Sequence, residues 1–150
     1  MKKLFLSLAI FLFSITAASA ARIVVSQQNH TLTLYENDGN VIEYPVGTGR
    51  PGFTWHGTHP IVRKAVWPDW RPPAAMLRRR PDLPRWMAGG EDNPLGARAM
   101  YLGGTNYRIH GSNEPNSIGH SVSSGCIRMH NEDVIDLYNR VPVGTLVTVK

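Results

Sequence analysis

The stretch from His30 to Val46 leaves this chain few choices of fold. Leu32 and Leu34 alternate with Thr31, Thr33 and Tyr35, the two-residue period of a strand with one buried face. Asn37-Asp38-Gly39 follows, and these residue types tolerate the left-handed backbone that a tight hairpin requires. Val41 to Val46 then returns as the partner strand. Arg22 to Ser26, Thr58 to Val66, Ala97 to Leu102, Tyr107 to His110 and Thr145 to Val149 read as further short strands, with Gly47, Gly49, Pro51 and Gly52 breaking the pattern after the hairpin.

Helical signals are fewer. Asn131 is a good N-cap residue, Glu132 and Asp133 suit the positive end of a helix, and Val134, Leu137 and Tyr138 form its apolar stripe. Pro142 and Gly144 end it. Between Trp67 and Pro94 the composition changes: Pro68, Pro72, Pro73, Pro81, Pro84 and Pro94 exclude a regular sheet, and only Ala74 to Arg80 suits a helical piece. A long irregular segment in a compact domain is a functional flap or a disordered linker. Trp67, Trp70 and Trp86 need surfaces to pack on, which favours a lid over a cleft with Trp86 touching substrate. Many short strands, one clear helix and no βαβ rhythm predict a mainly β domain, a sandwich or barrel with one helix near the C-terminus and a long Pro/Trp-rich lid.

Residues 1–20 fit a cleaved signal peptide: Lys2 and Lys3 precede an apolar run from Leu4 to Phe13, and Ala18-Ser19-Ala20 is a small-residue cleavage site. The run is short for a bilayer span, so no stable membrane insertion is expected after cleavage. Residues 21–150 suffice for one domain. The formal charge of +5 falls by two once both lysines are removed, and Arg78, Arg79 and Arg80 concentrate part of what remains. A modestly basic exported chain suits an anionic cell envelope, and no nucleic-acid recognition motif is present.

Cys126 is the sole cysteine. In an oxidising compartment it is an intermolecular bridge, a reactive thiol or an inert buried hydrophobe. Its Ser123-Ser124-Gly125 neighbourhood is no apolar core run and favours the reactive thiol. His110 lies upstream across a Gly-, Ser- and Asn-rich loop, and an imidazole that takes the thiol proton completes the minimum equipment for acyl transfer through a thioester. The backbone amides of Ser124, Gly125 and Cys126 are the nearest oxyanion donors, and Gly125 permits close approach to a ligand. Arg128 is placed to hold a carboxylate or is a solvated cation. Ser123 either orients His110, lines the pocket or caps a turn. The competing reading is zinc held by His110, His120, Cys126 and His130, although only half of such a site has ligand spacing.

The residues Ile109-His110-Gly111, Ile118-Gly119, Ser123 to Met129, Asn131 to Val134 and Val141 to Thr145, with Trp70-Arg71-Pro72-Pro73 and Asp92 to Gly96 upstream, resemble the YkuD-type L,D-transpeptidases, in particular their ErfK/YbiS-like branch. The resemblance covers essentially all of residues 21–150. It implies a β-rich periplasmic enzyme acting on peptidoglycan stem peptides. In that family a cysteine displaces the terminal D-alanine of a tetrapeptide as a thioester and passes the acyl group to an amine. Cys126 would be the nucleophile, His110 the base, the Gly111 carbonyl its orienter, and Arg128 a substrate ligand. No cofactor or metal is expected. The acceptor would be a second stem, an outer-membrane lipoprotein or a free D-amino acid; water as acceptor would make a carboxypeptidase, and loss of catalysis a peptidoglycan-binding protein. Two positions depart from the family pattern. Ser124 stands where relatives often carry histidine, and Thr54-Trp55-His56-Gly57 replaces the usual Thr-Pro-x-Gly. No LysM-like module precedes the domain, so affinity for the sacculus is expected from the domain itself or from a partner.

Overall fold

The computed structural model describes residues 20–150, and the expected signal segment, apart from Ala20, lies outside them. The elements run β1 (Arg22–Ser26), β2 (Thr31–Tyr35), β3 (Val41–Pro45), β4 (Thr48–Gly49), β5 (Gly57–Val66), α1 (Ala74–Arg79), β6 (Arg98–Leu102), β7 (Arg108–His110), β8 (Ser121–Ser123), β9 (Ile127–Arg128), α2 (Asn131–Arg140) and β10 (Leu146–Val149). Eight strands form one sheet in the order β3-β2-β1-β10-β5-β6-β7-β9, and β4 pairs with β8 beside it. The first hairpin forms as its alternation requires, with Leu32 and Leu34 fully buried and Gly39 at φ 93° in the turn.

The sheet curls. Tyr44 from β3 at one end and Ile127 from β9 at the other belong to the same apolar cluster as Val134 and Leu137 of α2. A flat sheet of this width could not bring both ends onto one helix, and a sheet of this size twists and curls by default. Burial of each large aliphatic side chain in that cluster contributes about 1.5–3 kcal/mol, which makes α2 the element the sheet is wrapped around. The expected mainly β fold with one principal helix is the observed one.

One irregularity sets the faces of the sheet. Strict alternation along β5 would put Ile61 and Arg63 on the same side. Instead the register shifts between them, so Ile61 pairs with Leu102 and Arg63 with Tyr101. A one-residue bulge at Val62 therefore sends Ile61 into the core and turns Arg63 to the opposite face, where its guanidinium lies 3.8 Å from the Tyr101 ring. Lys64 then faces α2, donating to the carbonyls of Tyr138 and Val141, each at 2.7 Å. This cation caps the negative end of the helix, and burial lowers its pKa.

The Pro/Trp-rich segment is ordered as an arch over the face opposite α2. Trp70 and Met87 exchange backbone hydrogen bonds of 2.8 and 2.9 Å, closing the loop that carries α1. The buried Asn93 amide donates to the carbonyls of Pro68, Met87 and Ala88, and its Oδ1 accepts from the Leu95 amide. Trp70 is buried, whereas Trp67 and Trp86 stay largely exposed. The linker reading is excluded.

Asn131 corrects the sequence reading. It is the first residue of α2 rather than its N-cap, which is His130, and its side chain caps nothing. Asn131 Oδ1 accepts from the amides of Ala97 and Ser112 at 3.0 and 3.2 Å, and its Nδ2 donates to the Ser112 carbonyl at 3.1 Å. Gly96 and Gly111 lie against the same Oδ1, and a Cβ on either would collide with it. The amide thus joins the entry to β6 and the exit of β7. Replacing an ordinary N-cap costs about 1 kcal/mol. Because Asn131→Ala leaves three backbone groups without their partner, we expect a loss of roughly 3 kcal/mol in urea unfolding. A loss below about 1 kcal/mol would return Asn131 to a capping role.

Candidate active site

The pairing of β7 with β9 creates the site. These strands are parallel, with Ile109 opposite Ile127 and His110 opposite Arg128. Ile109 and Ile127 are fully buried in the core. By the two-residue period, Arg108, His110, Cys126 and Arg128 then share the other face, under the arch. Fifteen intervening residues return the chain to place Cys126 beside Arg108, one step back along the ladder, with His110 diagonal to it. Among the described residues, His110, His120, Cys126 and His130 are not gathered as metal ligands: the His120 carbonyl serves the Thr48 amide, and His130 sits at the head of α2.

His110 is 5% exposed, and its Nδ1 lies 2.6 Å from the Gly111 carbonyl oxygen. A carbonyl only accepts, so Nδ1 carries the hydrogen and the neutral ring presents a bare Nε2. Burial, reinforced by the charge of Arg108 and Arg128 against the Gly111 hydrogen bond, lowers the imidazole pKa to about 3. The Cys126 thiol is pushed up by burial, while Arg108 (through its charge and backbone amide) and Arg128 pull it back down. Both groups therefore rest neutral at pH 7, as thiol and imidazole rather than thiolate and imidazolium.

The loop before Cys126 is fixed by contacts on every side. Ser123 Oγ donates to the Cys126 carbonyl at 2.6 Å and accepts from the Gly125 amide at 3.1 Å. Ser123 thus neither orients His110 nor faces substrate, and the Gly125 amide is already used. Of the three expected oxyanion donors, the amides of Ser124 and Cys126 remain. Gly125 adopts φ 116° with the Tyr107 ring directly against it, so any side chain would be strained and would collide. Its carbonyl accepts from Trp55 Nε1 at 2.7 Å. Trp55 in turn stacks on Tyr107 with centroids 4.5 Å apart and a 16° interplanar angle, and the Gln27 side chain holds its backbone from both ends. The unusual Trp55 is therefore a buttress of the loop that carries Cys126. Ser124 Oγ accepts from Arg50 Nη1 at 3.2 Å.

Arg128 lies 3.3 Å from Glu114, so its charge is already partnered. Trp86 points elsewhere: it is half exposed and donates to Asp69 at 2.9 Å. An open cleft of about 450 Å³ lies between the arch and the β6–β7 turn, lined by Arg71, Ala74, Tyr101, Asn106, Tyr107 and Arg108. Trp86 is not among its walls. Sequence reading missed Arg108 and Tyr107, and singled out Trp55 only as a departure from the family pattern. Arg108 was open to detection, since a residue two before His110 on a strand shares its face.

Among the described residues no helix is long and apolar enough to cross a membrane. The family model for the YkuD L,D-transpeptidase catalytic domain matches residues 20–149. ErfK/SrfK and YbiS, probable L,D-transpeptidases of Escherichia coli K12, are each 39% identical to the chain, over 136 and 134 residues. Those alignments cover 85% and 83% of this chain but 43% of each relative, so the chain spans under half the length of these two proteins. Among solved structures, L,D-transpeptidase 3 from Mycobacterium tuberculosis has a TM-score of 0.71 at 21% identity, covering 87% of this chain and 61% of that one. The L,D-transpeptidase from Mycobacterium smegmatis has a TM-score of 0.69 at 24% identity, covering 87% and 58%. The two structures share the fold, and the family model with the E. coli relatives places this chain in the YkuD family of L,D-transpeptidase catalytic domains.

Proposed function

We propose that this protein is a periplasmic cysteine L,D-transpeptidase acting on peptidoglycan tetrapeptide stems. The observation that carries the proposal is the shared face of β7 and β9. It holds Cys126 near an imidazole whose Nδ1–H is tied to Gly111, leaving Nε2 as a base. In this reading Cys126 Sγ attacks the carbonyl of the diaminopimelate–D-alanine bond while His110 Nε2 takes the thiol proton. The Ser124 and Cys126 amides hold the oxyanion. Collapse breaks the C–N bond, His110 returns its proton to the departing D-alanine amine, and a thioester remains. An acceptor amine then gives a proton to His110 and attacks the thioester, and the thiol recovers that proton as it leaves. The acceptor is a second stem, a lipoprotein amine or a free D-amino acid. The leader-like residues 1–20 and the family's cell-wall relatives support the periplasmic location.

Incubation of residues 21–150 with disaccharide tetrapeptide should release D-alanine and add the acyl mass to Cys126 in intact-mass spectra. Cys126→Ala should give neither, and His110→Ala should slow acylation by about 10²–10⁴-fold. Identical spectra for wild type and Cys126→Ala would refute the proposal. Tripeptide without cross-linked or exchanged product would instead assign water as acceptor.

The neutral resting pair makes a second prediction. The thiol pKa is raised above its ordinary value of 9.0, and the imidazole is uncharged above about pH 3. Alkylation of Cys126 by iodoacetamide, which needs thiolate, should climb from pH 6 through pH 9 without levelling. A plateau near pH 6 would mean a preformed thiolate–imidazolium pair.

A further inference from the structure

One cation on the active face has no assigned task. Arg108 stands opposite Tyr101 on the sheet, and its guanidinium lies 5.5 Å from that ring. With Arg63 on the ring's other neighbour, the row across the sheet reads Arg63, Tyr101, Arg108 and then Cys126. Among the described residues no carboxylate lies within ion-pair distance of Arg108, and its buried Nε has no hydrogen-bond partner. A buried guanidinium nitrogen left without an acceptor is costly, so the group is shaped for a partner that the chain itself does not supply. Arg98 also has a buried Nε without a partner, but its Nη1 donates to the Ala97 carbonyl and it is not on the cleft wall. Arg108 is on that wall, facing Arg71 of the arch.

We infer that Arg108 is the receptor for the terminal carboxylate of the donor peptide, the carboxylate of the D-alanine that leaves. The inference rests on the transpeptidase reading above and names one subsite within it. Adjacent strands lie about 4.8 Å apart, which sets the Arg108 backbone that far from Cys126. In the substrate the leaving residue's carboxylate is separated from the attacked carbonyl carbon by only the amide nitrogen and one α-carbon. A carbonyl over Cys126 Sγ therefore puts that carboxylate over Arg108, where the guanidinium fork donates to both of its oxygens. Arg71, across the cleft, adds a second positive charge, itself 3.4 Å from Asp69. Arg128, the sequence candidate for this role, is held by Glu114 on the other side of His110. An arginine that reads a carboxylate at this position restricts the donor to peptides ending one residue beyond the scissile bond, because a longer peptide has no charge there.

The test compares a free tetrapeptide ending in D-alanine with the same peptide ending in D-alaninamide. Both meet the same thiol and imidazole in any one variant, so the acid-to-amide ratio of kcat/KM for acylation cancels changes in their pKa values. Wild type should favour the acid by about ten- to a hundredfold, the scale of hydrogen bonds to charged groups. Arg108→Gln should bring the ratio to within about threefold of one. Arg108→Lys, which keeps charge without the fork, should fall between them and serves if the glutamine variant does not fold. Arg128→Gln should keep the wild-type ratio. A wild type indifferent to the amide, or an Arg108→Gln that still discriminates as wild type does, overturns the assignment. Calorimetric binding of both peptides to Cys126→Ala, with and without Arg108→Gln, supplies a readout free of chemistry. Acid preference in binding that depends on Arg108, together with no acylation by wild type, would refute the transpeptidase reading alone. Acylation without that preference would refute the Arg108 subsite alone.

Discussion

Everything at the active face depends on β9, a strand of only two residues, staying in parallel register beside β7. So short a strand has little pairing energy of its own, and both of its edges are occupied. Arg128 exchanges backbone hydrogen bonds of 2.8 and 2.9 Å with Gly47, and the Met129 amide donates to the His110 carbonyl at 2.8 Å. The driving force lies beneath. Ile109, Ile127 and Met129 are fully buried, and a slip of one residue would exchange Ile127 with Cys126 or Arg128. Placing a charged side chain in that core is prohibitive, so hydrophobic burial fixes the register and the register fixes the position of the thiol. Cys126 is placed by the residue after it.

Burial has a consequence for the chemistry. It opposes charge on both His110 and Cys126, while Arg108 and Arg128 oppose charge on the imidazole and favour it on the thiol. The two arginines therefore bias the site toward anions without producing an ion pair at rest. A thiol held protonated by burial is less open to oxidation than a standing thiolate, which suits the proposed periplasmic location. In the proposed reaction, activation is left to the moment when a carbonyl is present and the proton can pass to Nε2 as the S–C bond forms.

The sequence made the framework legible wherever a local pattern decided it. The hairpin over 31–45 and the stripe of Val134 and Leu137 needed only alternation, a turn and helical spacing. The parallel neighbours β1–β10, β4–β8 and β7–β9 were not legible, because each joins residues distant in sequence. Nor was the bulge at Val62, because nothing in the order Ile61-Val62-Arg63-Lys64 marks which residue is the extra one. At the site, Cys126 and His110 stood out by residue type. Asn131 was misread because its side chain satisfies backbone groups that only the fold brings near, those of Ala97 and Ser112, whereas Ser123 takes the last of its three readings and caps the local turn through Gly125 and Cys126. A cap preference records what such a residue does locally, and at Asn131 tertiary partners prevailed.

Ser124 shows how a departure from the family pattern is absorbed. Where relatives often hold an imidazole, its hydroxyl accepts from Arg50, whose guanidinium lies 4.1 Å from the Phe53 ring. Arg79 of α1 lies 5.0 Å from the same ring. The loop before Cys126 is thereby connected to the tip of the arch through two cation–π contacts, each worth about 0.5–1 kcal/mol where exposed. The base of the arch is held far more firmly, by Asn93 and by the Trp70–Met87 pair. A segment rigid at its base and lightly attached at its tip keeps Arg71 and Ala74 in position to wall the cleft while asking little of the loop that carries Cys126. Ser124 fits this arrangement because a hydroxyl takes one hydrogen bond from Arg50 and places no second imidazole beside Cys126, which leaves His110 as the single base of the proposed reaction.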